Sequence, residues 1–191
     1  MIRLASLSDI EGIVEVHKAS FSTHHFTSFL SRKLLNIYYQ YFMNEPNYTY
    51  VLEDDSNEIL GFIVIGFDIP EKIKQFKQEN YSSIVMTAFL NPIPAIQKVI
   101  SSFYFKLFDK SSSYKDSSFL LLSIATLPNT KGKGKELMQF IDDFMKEKST
   151  SSIGLYVRVQ NLGAINFYLN HQYSIKGYSN AQYYMEKNII K

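Results

Sequence analysis

The sequence predicts an α/β domain with one parallel crossover, and three observations carry that prediction. Phe119 to Leu127 is a continuous apolar run, as expected of a strand covered on both faces. A loop rich in glycine and lysine and then a helical pattern follow it, and Ile153 to Val159 next alternates Ile153, Leu155, Val157 and Val159 with Gly154, Tyr156 and Arg158, a second strand. Upstream, Tyr48 to Glu53 and Ile59 to Phe67 read as a β-hairpin around the turn formers Asp54-Asp55-Ser56-Asn57-Glu58.

The other elements fall into place around these. Residues 2 to 5 make a short strand, and Ser8-Asp9-Ile10-Glu11 has the spacing of a capping box that starts a helix. Ile10, Ile13, Val14, His17 and Phe21 then share one helical face. A second helix after Phe26 carries Leu30, Leu34, Ile37, Tyr38 and Tyr41 and ends before Asn44-Glu45-Pro46. Residues 69 to 118 form a long, apolar, helical excursion that closes in Ser111-Ser112-Ser113. In the last third, one helix turns Leu137, Met138, Ile141, Phe144 and Met145 inward and Asp142, Asp143, Lys146 and Glu147 toward water. Asn161 caps a short helix through Tyr168, and Tyr173 to Lys187 holds two final strands.

Composition narrows the function. At 191 residues and 22.1 kDa the chain fits one domain, which buries about 70% of the unfolded surface without any staple. The absence of cysteine excludes a disulfide scaffold, a thiol nucleophile and zinc sites built on thiolates. Four histidines leave little material for a metal centre, so none is expected. A net charge of +2 and only three arginines (Arg3, Arg32 and Arg158) argue against a nucleic-acid partner. Met1-Ile2-Arg3-Leu4 runs into Asp9 and Glu11 without a leader's apolar core, and no window suits a membrane span. A cytoplasmic protein is expected.

The most informative segment is Leu127-Pro128-Asn129-Thr130-Lys131-Gly132-Lys133-Gly134-Lys135. A strand delivers the chain into a glycine-spaced loop that opens a helix. Glycines let successive N–H groups converge, the helix start adds partial positive charge, and the lysines add full charges. Such a site suits a phosphate or pyrophosphate, although neither the Walker A spacing nor Gly-x-Gly-x-x-Gly is present.

With Asn161-Leu162-Gly163-Ala164-Ile165-Asn166-Phe167-Tyr168 after the next strand, the tail Tyr183-Tyr184-Met185-Glu186-Lys187 and the start Ile2-Arg3-Leu4-Ala5, this loop resembles the GNAT superfamily of acyl-CoA-dependent N-acyltransferases. The resemblance is loose over the whole chain and good over 119 to 187. It implies a mixed, mostly antiparallel sheet with a central parallel, splayed strand pair flanked by helices. It also implies acetyl-CoA as co-substrate and a small-molecule primary amine, an amino sugar first, as acceptor. Relatives with an inserted segment like 69–118 resemble enzymes of surface-polysaccharide or amino-sugar pathways. Backbone groups of Ile124, Ala125 and Thr126 would pair with the pantetheine arm, and Asn161 would also meet the cofactor. Amides around Lys131, Gly132, Lys133, Gly134 and Lys135 would hold the pyrophosphate. Aligned from Pro128, Lys131 replaces the usual Arg or Gln of the loop; aligned from Leu137, Asn129 does. Tyr168 would give a proton to the leaving thiolate, and Ser123 stands where some members carry a Glu base.

An attacking amine must lose a proton, and His17 is the candidate to assist, with His24 and His25 behind it. For 69–118 the readings are extra core, a homodimer surface, a lid, or a patch that meets a lipid-linked substrate. Two other readings of the chain stay open: a catalytically inactive binding or sensor module, and an interaction protein that uses the apolar insertion.

Overall fold

The computed structural model describes residues 1–21, 26–90 and 117–188. His24, His25, the Ser111-Ser112-Ser113 loop and the apolar run from Phe103 to Phe108 lie outside the described residues.

Seven strands form one sheet: β1 (Ile2–Leu4), β2 (Asn47–Glu53), β3 (Ile59–Gly66), β4 (Leu120–Thr126), β5 (Ser152–Arg158), β6 (Ser174–Ser179) and β7 (Gln182–Asn188). The helices are α1 (Ile10–Ser20), α2 (Arg32–Gln40), α3 (Ile69–Glu79), α4 (Tyr81–Leu90), α5 (Lys133–Glu147) and α6 (Leu162–Asn170). The spatial order is β1-β2-β3-β4-β5-β7-β6, and β4–β5 is the parallel pair in an otherwise antiparallel sheet. This is the mixed α/β arrangement expected from the sequence, with α5 as the crossover between the parallel strands.

Each face of the sheet has its own core. Alternation along β3 sends Phe62 and Val64 toward Ile13, Val14, Leu35 and Tyr39 of α1 and α2. Ile63 and Ile65 go the other way, toward Leu137, Ile141 and Met145 of α5 and Ile165 of α6. Each such side chain is worth about 1.5–3 kcal/mol when fully buried, so the two apolar stripes hold the helices in place.

Three local expectations need correction. The capping contact at the start belongs to Ser6 and Asp9 rather than to Ser8 and Glu11: Asp9 Oδ2 accepts from the Ser6 N–H at 2.7 Å, while Arg3 donates to both Asp9 oxygens at 2.8 Å. The α2 helix stops at Gln40, so Tyr41 is its cap. Asp142 does not simply face water, because both its oxygens accept from Lys187 Nζ at 2.7 Å and clasp α5 to β7. The described part of the 69–118 excursion splits into two short helices. α3 buries Ile69 and Phe76 in the α1–α2 core, Phe76 against Tyr38, whereas Phe89 and Leu90 of α4 are 80% and 70% exposed.

Candidate active site

The site begins where the parallel pair comes apart. Leu120 and Leu121 pair with Gly154 and Leu155, and the β4–β5 ladder ends there. Across the other edge, Ile65 faces Leu121 and Val64 faces Ser123, so Leu122 has no partner on β3. It is a β-bulge, which bends its strand and steepens the local twist. The bulge also resets the alternation of β4. Leu122 packs with the α1–α2 core, and Ser123 turns to the same side, where it meets the Tyr39 phenol. Ile124 then faces the α5 core and Ala125 the α1–α2 core.

The opening is a cavity of about 470 Å³. Leu121 to Ala125 line it on β4, Leu155 to Arg158 on β5, Ser20 and Phe21 at the end of α1, and Asn161, Ala164 and Tyr168 at α6. The Leu127 N–H donates to the Leu60 carbonyl at 2.7 Å. Counting back by twos, Ala125 also directs its backbone to β3, opposite Phe62. Ile124 and Thr126 therefore aim theirs at the opening, where the Thr126 carbonyl accepts from Ser20 Oγ at 2.7 Å. Of the three residues expected to pair with a ligand strand, two face the cavity with their backbone and one does not.

A second cavity, about 370 Å³, adjoins the end of β4 and is lined by Ala19, Ser20 and Thr126 to Lys131. The chain turns at two left-handed residues, Asn129 (φ 71°) in its wall and Gly132 (φ 80°) just beyond it. Asparagine tolerates that conformation and glycine is free of its strain. Helix α5 starts at Lys133, so Lys133 and Lys135 belong to its first turn rather than to the loop. Among the described residues no backbone carbonyl accepts from the amides of Gly134 and Lys135. Lys133 Nζ is held by Glu136 at 2.8 Å, whereas Lys131 and Lys135 are exposed. Open amides, the helix dipole and the exposed ammonium groups of Lys131 and Lys135 are features that suit an anion.

Asn161 caps α6, its Oδ1 accepting from the Ala164 N–H at 3.1 Å, and so fixes the helix that carries Tyr168. The Tyr168 ring lies 5.6 Å from that of Tyr173 on the α5–α6 side of the sheet. Burial pushes its phenol well above the ordinary value of 10, so it stays a proton donor at neutral pH. His17 stands apart from the cavity wall. It is 1% exposed, stacks on Phe21 with 4.3 Å between centroids, and its Nδ1 lies 2.6 Å from the Tyr39 hydroxyl. It connects to the cavity through Tyr39 and Ser123.

Sequence reasoning missed Arg158 as part of the wall. The signal was present: it is the charged member of the polar phase in a strand whose other phase is wholly apolar. Among the described residues no three His, Asp or Glu side chains converge as a metal-ligand set, and no helix is long and apolar enough to cross a membrane.

The model of the acetyltransferase (GNAT) family matches residues 10–172. Among curated proteins none is similar to the chain at a significant level. Solved structures share the fold at low identity. The PaiA N-acetyltransferase of Thermoplasma acidophilum, solved in complex with coenzyme A, is 19% identical with a TM-score of 0.60, covering 98% of each chain. The ribosomal-protein-S18-alanine N-acetyltransferase of Escherichia coli is 12% identical, TM-score 0.61, covering 100% of this chain and 94% of that one. A spermidine N-acetyltransferase SpeG chimera from Vibrio cholerae and hSSAT is 14% identical, TM-score 0.58, covering 98% of this chain and 94% of that one.

Proposed function

The chain belongs to the acetyltransferase (GNAT) family, and from that premise we propose that it moves the acetyl group of acetyl-CoA to a primary amine by direct attack in a ternary complex, with an amino sugar the first acceptor to try. The observation that most supports this reading is the splay of β4 from β5 beyond Leu121 and Leu155. It leaves the backbone of Ile124 and the N–H of Thr126 open to an extended ligand, with the Thr126 carbonyl on Ser20 Oγ, next to a helix start suited to a pyrophosphate.

In this reading the pantetheine arm lies along β4 as an added strand, held by Ile124 and Thr126, with Ala125 contributing its side of the wall. The pyrophosphate sits on the amides of Gly134 and Lys135, with Gly132 and Asn129 shaping the turn and Lys131, Lys133 and Lys135 supplying charge. Asn161 borders the arm from the start of α6. The thioester carbonyl is polarised by a backbone amide of β4, whose placement before reaction saves reorganisation as the oxyanion forms. The amine attacks that carbon, the carbon–sulfur bond breaks, and Tyr168 gives its proton to the departing sulfur. The amine's own proton passes by way of the Ser123 and Tyr39 hydroxyls, each giving up its proton as it takes the next, to the ring nitrogen Nδ1 of His17, which accepts it. The cytoplasm is the proposed place of work.

The first test is thermal unfolding with and without acetyl-CoA. A ligand at 100 times its Kd stabilises by about 2.7 kcal/mol, which is roughly 5–10 °C for a chain this long. Thiol release across a panel of amines then follows. No shift at millimolar acetyl-CoA overturns the enzyme reading and leaves the fold serving to bind something else.

A further inference from the structure

The three arginines of this chain are treated differently by the fold. Arg3 is held by Asp9 and Glu53, each at 2.8 Å, and Arg32 by Glu15. Arg158 has no carboxylate partner among the described residues, although its side chain is half buried and lines the cavity. Burial pulls its pKa down, and no nearby acid raises it again. A partly desolvated cation without a counter-charge is a standing cost to the folded state, relieved when an anion arrives.

Its place on the strand says which ligand would bring that anion. Leu155 and Val157 point into the α5–α6 core, the side that holds Tyr168. Tyr156 and Arg158 take the opposite phase, and the Tyr156 ring lies 5.3 Å from that of Tyr184 in the α1–α2 core. Arg158 therefore shares a face with Phe21 and Ser123, across the sheet from the side where the thiol departs. It does not line the neighbouring cavity beside Asn129 and Lys131. The planar fork of a guanidinium matches two oxygens of a carboxylate or phosphate.

We propose that Arg158 reads an anionic group on the acceptor, which makes the substrate class a primary amine bearing a carboxylate or a phosphate. The inference rests on the acyl-transfer reading above. An amino sugar fits it when phosphorylated or acidic, and an amino acid fits it as it stands.

The test pairs acceptors that differ only in the anion: glucosamine 6-phosphate against glucosamine, and L-phenylalanine against phenethylamine. Thiol release is followed with wild type, Arg158→Gln and Arg158→Lys, and acetyl-CoA stabilisation is measured on all three. Wild type is expected to favour the anionic member of at least one pair tenfold or more in kcat/KM, and the preferred pair says whether carboxylate or phosphate is read. Arg158→Gln should erase that preference through KM for the anionic member, leave KM for the neutral member and for acetyl-CoA unchanged, and be partly rescued by Arg158→Lys. Equal use of neutral and anionic amines overturns the proposal. So does a raised KM for acetyl-CoA in Arg158→Gln, which would give the arginine to the co-substrate. If acetyl-CoA neither stabilises wild type nor is cleaved with any amine, both readings fall. If it stabilises but no anion is preferred, only this one does.

Discussion

The ring of Tyr184 lies across Gly154: a Cβ at residue 154 would come within 2.5 Å of the Tyr184 hydroxyl oxygen and 2.6 Å of its ring. That hydroxyl accepts from the Ser117 N–H at 2.6 Å and donates to Glu186 at 2.7 Å, so the ring is tied at the point where β4 and β5 still pair. Gly154→Ala must push it aside. Overpacking of this kind costs about 1–3 kcal/mol, and denaturant unfolding should show a loss in that range. A neutral result would mean that Tyr184 gives way freely.

Tyr168→Phe keeps the ring that packs on Tyr173 and removes the proton. Turnover should fall by about 10²–10⁴, the usual worth of a positioned acid, with acetyl-CoA stabilisation unchanged. Steady-state kinetics beside thermal shifts separates the two effects; an unchanged kcat would take Tyr168 out of the chemistry.

Gly134 and Gly132 should behave differently. A Cβ at Gly134 meets only the Phe167 ring, at 3.5 Å, an ordinary contact, and Gly134→Ala should stabilise the first turn of α5 by about 0.5–1 kcal/mol. If the proposed pyrophosphate site is right, the same methyl also crowds the amides that would hold it, and stabilisation by acetyl-CoA should shrink. Gly132→Ala, at φ 80°, should lower Tm without any ligand.

Stability should fail at both ends of the pH scale for separate reasons. Arg3 and the Ser6 N–H hold the Asp9 carboxyl far below its usual 3.8, so this group's contribution is complete above about pH 4 and lost as pH falls below it. Asp9→Asn should cost about 1–3 kcal/mol at pH 7 and progressively less in acid. Burial raises the phenols of Tyr38, Tyr39, Tyr168 and Tyr173, so the unfolded chain loses those protons first. These four groups leave stability unchanged below about pH 10 and lower it as pH climbs beyond, and their share of the phenolate absorbance should appear together with unfolding, after that of exposed tyrosines such as Tyr81.

His17 and Tyr39 form one unit. His17→Gln and Tyr39→Phe should each lower kcat by about 10²-fold, the lower end for a proton-transfer step, and displace the acid limb of the rate profile without altering acetyl-CoA binding. Variants that shift only the unfolding midpoint would make the pair a piece of the core.

Much of this was readable in the sequence, because period and turn chemistry are local. Ile153 to Val159 announces its alternation residue by residue, and Asn161 its cap. What could not be read depends on partners far along the chain. Nothing near Asp142 says that Lys187 will clasp it, and nothing near His17, beyond the Phe21 that shares its helical face, says that Tyr39, 22 residues on, will take its Nδ1. Arg158 shows the same limit: its phase was visible, but its lack of an acid is a property of every carboxylate in the described fold.

The unpaired Leu122 works as a frameshift in space. Leu120 and Leu121 are written in one register, and everything from Ser123 onward is read one step out of it. The shift lasts only while Leu122 stays outside the ladder: were the strand to pair regularly through it, Ser123 and Ala125 would exchange faces with Ile124 and Thr126, and each half of the cavity would display the other half's side chains. Deleting Leu122 would instead close the ladder, with Ser123 directly after Leu121, and remove the bend while every later side chain kept its face. Substitutions along β4 edit individual letters; whether Leu122 pairs sets the reading of all that follow.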